Sequence, residues 1–113
     1  MKRVKITVLK TTWTGIWRRN TAPRADGLSH AAGRAGLLRR LRQAGGFCDE
    51  AWKAVYQYAF ALAHGAGEGL FYYGDWIRKP GVAICSCNDG LRPVIFKLEA
   101  TDEESPLSYT PVQ

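Results

Sequence analysis

Residues 49–64 read DEAWKAVYQYAFALAH, and this stretch decides the fold of the chain. Apolar side chains recur in it at i, i+3 and i+4 spacing, which predicts one amphipathic helix with a continuous apolar stripe. Asp49 is the predicted N-cap, and Gly65 is the residue at which the helix is expected to end. The predicted stripe consists of Trp52, Val55, Tyr56, Ala59, Leu62 and Ala63.

Three strand-like runs accompany this helix. Residues 4–9 alternate apolar and polar side chains, which is the pattern of a half-buried strand. Residues 82–87 and 93–99 form two further runs, joined by the sequence NDG at 88–90, a strong turn signal. The chain therefore carries one strand before the helix and a predicted β-hairpin after it.

The order of these elements predicts the α+β class. We expect a small antiparallel sheet packed against one main helix at about 49–64, with a C-terminal β-hairpin at 82–99. At 113 residues the chain has room for a single domain, which we place at residues 1–101. Residues 102–113 are polar, contain two prolines and lack periodicity, so they are predicted to form a disordered tail.

The amino-acid composition also limits the cellular compartment and the binding partners that can be expected. No apolar run approaches the ~20 residues that span a bilayer, so no membrane partner is expected. The N-terminal residues alternate instead of forming the apolar run of a signal peptide. An odd number of cysteines, Cys48, Cys85 and Cys87, argues against a disulfide scaffold. We therefore expect a cytoplasmic protein with reduced thiols.

Residues 13–46 differ from the rest of the chain. They contain seven arginines, no lysine and one acidic residue, Asp26, whereas the remainder holds nine basic and nine acidic residues. The net charge of +6 therefore comes from this segment alone. A nucleic-acid partner, the usual inference from such a charge, depends on whether the segment is authentic.

Three stretches outside this segment resemble a small prokaryotic family of unknown function. They are VKITVLKTT at residues 4–12, GFCDEAWKAVYQYAFALAHG at 46–65 and KPGVAICSCNDGLRPVIFKLEAT at 79–101. The resemblance covers well over half of the chain and implies kinship without an assigned activity. Between the first strand and the helix, family members instead resemble DLAEEYG, then a Cys-Pro, then EGQVF and a KPEGFC sequence.

The missing family pattern can be recovered by a change of reading frame. Codons permitted for residues 15–22, read two bases later, spell DLAEEYG, and codons for 28–38, read one base later, spell CPMLREGQVF. The Arg, Ala and Gly bias of residues 13–46 is what a GC-rich gene produces out of frame. We therefore interpret the segment as frameshifted and expect it to be poorly packed or to form an unsupported helix, leaving an exposed sheet edge. The alternative is a genuine lineage-specific insertion.

The cysteines are the candidate functional site. Cys85 and Cys87 flank one residue of a predicted strand, so their side chains share a face, about 6–7 Å apart at Cα. That spacing suits two thiolates that approach one metal ion or redox partner, and suits a mutual disulfide poorly. Cys48 lies at the helix N-terminus, where the helix dipole favours a thiolate. His64 lies about 24 Å away along the helix and is a poor co-ligand.

The resemblance implies a fourth thiol, from the Cys-Pro that this chain lacks. With it, the cysteine count would match a zinc or an iron–sulfur site. The first functional hypothesis is thus a cysteine-based metal-binding or redox/sensor module with Cys48, Cys85 and Cys87 as metal ligands. The alternative is a non-enzymatic structural or interaction domain in which the cysteines are inert, buried small hydrophobes.

Two further hypotheses are less favoured. Residues 29–43 could form a basic amphipathic helix that binds phosphate backbones. The aromatic residues 71–76 and those of the helix could form a stacking surface, although core packing explains most of them. No phosphate loop, nucleotide fingerprint or hydrolase triad is present, so no catalytic or cofactor-binding residue is predicted. Whether the protein is an enzyme is left open by the sequence, with a non-enzymatic role favoured.

Overall fold

The computed structural model describes residues 1–11, 35–38, 47–72 and 76–105, with the backbone alone described at 35–38. In that part of the chain one helix packs on a sheet that is antiparallel throughout, so the predicted α+β class is confirmed. The elements, in chain order, are β1 (Lys2–Thr11), β2 (Ala35–Leu38), α1 (Asp49–Ala63), β3 (Val82–Ser86) and β4 (Val94–Glu104).

The four strands lie in the order β2-β1-β4-β3, so β3 and β2 are the outer strands of the described sheet. The predicted C-terminal hairpin is formed by β3 and β4, whose register runs without a shift from Val82 to Ser86. By contrast, the longer β1–β4 pairing contains register irregularities, one of them between Val8 and Lys10. The hairpin is therefore the regular end of the sheet.

The loop between β3 and β4 is organised by Asp89. Its carboxylate accepts hydrogen bonds from the backbone N–H groups of Leu91 at 2.8 Å and Arg92 at 3.1 Å. Partial burial acts to raise the pKa of Asp89, but these bonds and the Arg92 guanidinium outweigh it and hold the pKa below its usual range. The side-chain amide of Asn88 donates to the Glu50 carbonyl at 3.3 Å, which ties the loop to the first turn of α1.

The core lies between α1 and one face of the sheet. Alternation along each strand directs one set of side chains towards the helix and the other towards the open face. On the open face Lys97 and Glu99 form an ion pair at 3.2 Å, as expected for an antiparallel sheet covered on one side. Val82 is also buried, but it lies on the face of Ile84 and outside this core. The strand residues of the core are Val4, Ile6, Val8, Ala83, Cys85, Val94, Phe96 and Leu98.

Helix α1 begins and ends close to the predicted positions. Cys48, not Asp49, occupies the N-cap position, and Asp49 with Glu50 forms an acidic first turn that suits the positive end of the helix dipole. Gly65 follows the helix at φ +89°, a left-handed conformation that glycine adopts without strain. The N–H of Ala66 donates to the Ala61 carbonyl at 3.0 Å and closes the last turn.

The buried stripe of α1 differs from the predicted one. Val55, Ala59, Leu62 and Ala63 are buried as expected, and Ala51 joins them. Trp52 is only half-buried, and 41% of Tyr56 is exposed.

The strand β4 continues beyond the expected end of the domain at residue 101. Asp102, Glu103 and Glu104 belong to it, so the predicted disordered tail does not begin at 102. The Ser105 N–H donates to the Met1 carbonyl at 2.7 Å, and the Met1 ammonium group lies 3.3 Å from the Glu104 carboxylate. The two ends of the described chain are thus held together. Residues 106–113 of the predicted tail lie outside the described residues.

Part of the arginine-rich segment forms a strand. Residues 35–38 pair with β1 in antiparallel register, with Ala35 opposite Thr7 and Leu38 opposite Val4. The expectations that this segment leaves the edge of β1 exposed, and that a helix runs through 29–43, are therefore wrong at these residues. Backbone hydrogen bonding explains the difference, because a strand edge accepts a neighbour of almost any sequence. The remainder of residues 13–46 lies outside the described part of the chain.

Candidate functional site: the cysteines and the edge of β3

Cys85 is a core residue. It lies in β3 opposite Phe96, faces α1, and is only 7% exposed. Burial raises the pKa of the Cys85 thiol to about 11, because a thiolate in apolar surroundings loses its hydration. At neutral pH the side chain is therefore a protonated thiol, which is neither a good nucleophile nor a free metal ligand.

Cys87 lies just beyond β3 and completes the hairpin ladder. Its backbone N–H donates to the Val94 carbonyl at 3.0 Å, and the Val94 N–H donates in return to the Cys87 Sγ at 3.3 Å. The sulfur thus takes the place that a backbone carbonyl would take in a regular antiparallel pair. Cys87 is half-buried and packs against the same core as Cys85.

Cys48 also packs against this core, from the N-cap of α1. All three cysteines therefore lie on the helix-bearing side of the sheet, and none of the three forms a disulfide. However, the residues that the structure describes contain no group of three or more His, Cys, Asp and Glu side chains arranged to hold a metal ion. By themselves they do not form the ligand set of a zinc or iron–sulfur site.

Near these cysteines lies an open groove of about 440 Å³ between β3 and α1, hereafter the β3 groove. Cys85 and Cys87 line it and Cys48 does not. At its rim the Lys53 ammonium group donates to the Glu50 carboxylate at 2.8 Å, and this hydrogen bond lowers the pKa of Glu50. The other lining residues are Ala54, Gln57, Tyr58, Phe71, Ile84, Ser86 and Asn88.

The edge of β3 borders this groove, and its hydrogen-bonding phase follows from two ladder bonds. The Cys87 N–H bonds to Val94, and the Gly81 carbonyl accepts from Ala100 at 2.9 Å. Residues of an antiparallel strand alternate between pointing their backbone groups at the neighbour and away from it. Residues 83, 85 and 87 therefore point theirs towards β4, as does the carbonyl of Gly81, whose N–H instead donates to the Gly67 carbonyl at 3.1 Å. The N–H and C=O groups of Val82, Ile84 and Ser86 point away from β4.

An aromatic cluster closes one side of the groove. Phe71 has φ +60°, a conformation that non-glycine residues rarely adopt and that costs of the order of 1–3 kcal/mol. In this conformation its ring packs edge-on against Tyr58 at 5.3 Å and stacks on Trp76 at 5.4 Å with an interplanar angle of 9°. Backbone strain persists only where the surrounding structure maintains it. The contacts of Phe71 with its neighbours therefore hold this wall of the groove in place.

The sequence by itself points to the cysteines but not to this groove. The interrupted run that contains Phe71 has no periodicity, so nothing in it predicts contact with Tyr58. One signal was available: Val82–Ser86 is a strand without a charge or a proline, unlike the protected edge strands of most sheets. This signal has meaning only for a strand at the end of a sheet, and the position of β3 at the end is shown only by the strand order.

Comparison of the chain with protein-family models, with curated proteins and with solved structures finds no match. The family resemblance noted above therefore stays a prediction. Among the described residues, no helix has the length and apolar character needed to cross a membrane. The function of the chain is therefore inferred from the geometry of the groove and of the thiols.

Proposed function

We propose that this protein is a small non-enzymatic interaction domain that binds an extended polypeptide segment along the edge of β3. The observation that carries the proposal is the open groove beside an outer strand of the described sheet, where the exposed residues Ile84 and Ser86 point their backbone groups away from β4. Strand addition of this kind uses main-chain hydrogen bonds for affinity and neighbouring pockets for selectivity.

The surroundings of the edge support this function. A strand added beside β3 would extend the sheet next to α1, where Tyr58 and Phe71 offer aromatic surface. Ile84, which is 38% exposed, would gain a cross-strand neighbour on the open face of the sheet. The buried, protonated thiol of Cys85 is consistent with this binding function, since it acts as a small apolar side chain beneath the groove.

Amide hydrogen exchange with a probe peptide tests the proposal. The probe is a synthetic peptide of alternating Thr and Val, about seven residues long, which can pair with any strand edge. We expect it to slow exchange at Ile84 and Ser86 and to leave the already bonded amide of Cys85 unchanged. A matched peptide containing proline at alternate positions cannot form the ladder and serves as the control. Equal exchange with both peptides would contradict the proposal.

A cysteine-based metal or redox module in a reducing cytoplasm is the second candidate. It is favoured by one observation, the packing of Cys48, Cys85 and Cys87 against the same core on the same side of the sheet. Metal analysis of the purified protein, together with thiol titration before and after denaturation, separates the two candidates. A bound metal in stoichiometric amount would favour the module. Fast reaction of Cys48 and Cys87 with slow reaction of Cys85, and no metal, would favour the interaction domain.

A further inference from the structure

We propose that the peptide link between Asp89 and Gly90 is a site of spontaneous aspartate isomerisation, and that the folded β3–β4 loop suppresses this reaction by engaging the Asp89 carboxylate. The site is independent of the function proposed above. Three properties of the loop carry the proposal: its sequence at residues 88–90, the open surroundings of Gly90, and the hydrogen bonds of Asp89.

The sequence Asp-Gly favours this chemistry because glycine has no side chain to hinder its own nitrogen. The Gly90 nitrogen attacks Cγ of Asp89, a C–N bond forms, the Cγ–OH bond breaks, and the hydroxyl leaves with the N–H proton as water. Water then opens the resulting succinimide ring. Opening at Cγ restores aspartate, whereas opening at the main-chain carbonyl gives isoaspartate. No atom is gained or lost overall, and the reaction needs no cofactor, oxidant or reductant.

Gly90 is an exposed and sterically open residue of the loop. It does not have a positive φ, and a Cβ added to it would meet nothing within 4 Å beyond its chain neighbours. The backbone therefore does not require glycine at this position, and alanine can replace it without strain. Because the residue is exposed, the water that opens the ring is also at hand.

The folded loop engages both oxygens of the Asp89 carboxylate. Oδ1 accepts the N–H bonds of Leu91 and Arg92, and Oδ2 accepts from the Arg92 Nε–H at 3.2 Å. Ring closure removes one oxygen and the negative charge, so part of this charge-assisted network is lost whichever oxygen leaves. Closure also needs the protonated acid. Burial acts to raise the pKa of Asp89, but the network holds it below its usual range, which makes the acid form scarce at neutral pH.

Isomerisation changes the end of the hairpin that borders the β3 groove. Isoaspartate adds one carbon atom to the main chain between residues 89 and 90 and moves the carboxylate onto Cα, away from the N–H groups that it now accepts from. Asn88, which lines the groove and donates to the Glu50 carbonyl, immediately precedes this link. We expect the amides of Leu91 and Arg92 to exchange faster in the isomerised chain, because they lose their acceptor.

Peptide mapping of the full chain, incubated at neutral pH with and without urea, tests the proposal. Electron-transfer fragmentation distinguishes isoaspartate from aspartate of the same mass. The sequence Asp26–Gly27 provides an internal reference for the unfolded chain. In urea we expect Asp89 and Asp26 to isomerise at comparable rates. In the folded chain we expect Asp89 to react at least about tenfold more slowly than in urea, because its hydrogen bonds must first open.

Arg92→Ala examines the part of the protection that comes from the guanidinium. It removes the partner of Oδ2 and leaves both backbone bonds, so we expect the folded-state rate at Asp89 to rise by about threefold to tenfold while the rate in urea is unchanged. Arg92→Lys keeps the charge and should restore part of the protection. Lys10→Ala removes a positive charge from β1, away from the loop, and should leave the rate unchanged.

A second variant keeps the test valid if Arg92→Ala fails to fold. Gly90→Ala fits the loop, and its Cβ hinders the attacking nitrogen. In urea we expect its rate at Asp89 to fall well below the rate at Asp26, which the substitution does not touch.

Three results overturn the proposal. Equal rates at Asp89 in the folded and unfolded chain would show that the loop gives no protection. A folded Arg92→Ala variant with the wild-type rate would show that the Asp89–Arg92 contact does not contribute. An Asp89 that stays unreactive in urea while Asp26 isomerises would show that the link is not an isomerisation site.

Discussion

Helix α1 carries two adjacent stripes that differ in side-chain size and in burial. The stripe that faces the sheet is made of small and aliphatic residues, and Ala51, Val55, Ala59 and Leu62 are at most 1% exposed. The neighbouring stripe carries Trp52, Tyr56 and Phe60 and ends at His64. Its rings contact one another in succession, with centroid separations of 5.4, 6.2 and 4.2 Å. The larger apolar side chains are therefore the less buried ones.

The difference shows that the space available sets burial more than hydrophobicity does. Phe96 and Leu98 already fill the centre of the sheet face, and both are 0% exposed. A helix above them can approach closely only if it presents small side chains such as Ala51 and Ala59, because protein interiors are close-packed. The aromatic rings then lie along the side of the helix, where Phe47 links them to Phe96 by stacking at 5.3 Å. Substitutions in the two stripes should consequently have unequal effects.

The largest effect is expected in the buried stripe. Leu62→Ala removes a side chain that is 1% exposed and leaves a cavity beneath α1. We expect the free energy of unfolding to fall by about 2–5 kcal/mol, a large part of the total for a domain of this size. Urea unfolding followed by circular dichroism measures this change. A loss below about 1 kcal/mol would show that the stripe is not closely packed.

Trp52 should be less important than its size suggests. A fully buried large aromatic residue costs about 3–5 kcal/mol on truncation to Ala, which is what the helical pattern alone predicts for Trp52. Because its side chain is only half-buried, between Phe47 and Tyr56, we expect Trp52→Ala to cost about 1–2 kcal/mol. The same urea experiment compares it with Leu62→Ala. A larger loss for Trp52 would reverse the ranking of the two stripes.

Cys85, which faces the buried stripe, should make stability depend on alkaline pH. Its folded-state pKa of about 11 exceeds the usual 9.0, so the folded state holds a proton that the unfolded state has released between these values. Its contribution is complete below pH 9.0 and is lost as the pH rises through about 11. We expect a loss of the order of 2–3 kcal/mol over this window.

Comparison with two variants isolates this titration from that of the lysines and tyrosines. Cys85→Ala should remove the alkaline dependence at the price of a small cavity, and Cys87→Ala should retain it. Urea unfolding at pH values on both sides of the window supplies the measurement. If the wild type and Cys85→Ala lose the same stability as the pH rises, the thiol of Cys85 is not buried in the way that the structure shows.

The smallest effect is expected at Phe60, in the aromatic stripe. Its side chain is 44% exposed, and alanine is a better helix former than phenylalanine. The lost contacts with Tyr56 and His64 are therefore partly offset, and Phe60→Ala should change the free energy of unfolding by at most about 0.5 kcal/mol. Thermal unfolding is sensitive enough to detect such a shift. A loss close to that of Leu62→Ala would mean that the aromatic stripe is covered.

The residues alone were sufficient for α1, β1, the C-terminal hairpin and the fold class, but not for β2. The spacing within residues 49–64 predicts α1, the NDG turn at 88–90 predicts the hairpin, and the alternation in residues 4–9 predicts β1. These are local patterns, in which each residue reports its own backbone preference and the side that it buries. They also placed Gly65 after α1, because a left-handed residue there favours glycine.

Tertiary structure decided where these elements meet. The periodicity of α1 could not choose between stripes that lie side by side, since Val55 and Tyr56 are both apolar and only the sheet beneath selects one. Local sequence patterns also could not show that β3 lies at the end of the sheet or that residues 35–38 pair with β1. They gave no sign that Phe71 contacts Tyr58. Each of these depends on contacts between residues distant in the sequence. Their free energy comes from shared burial and ladder hydrogen bonds, which no single segment specifies by itself.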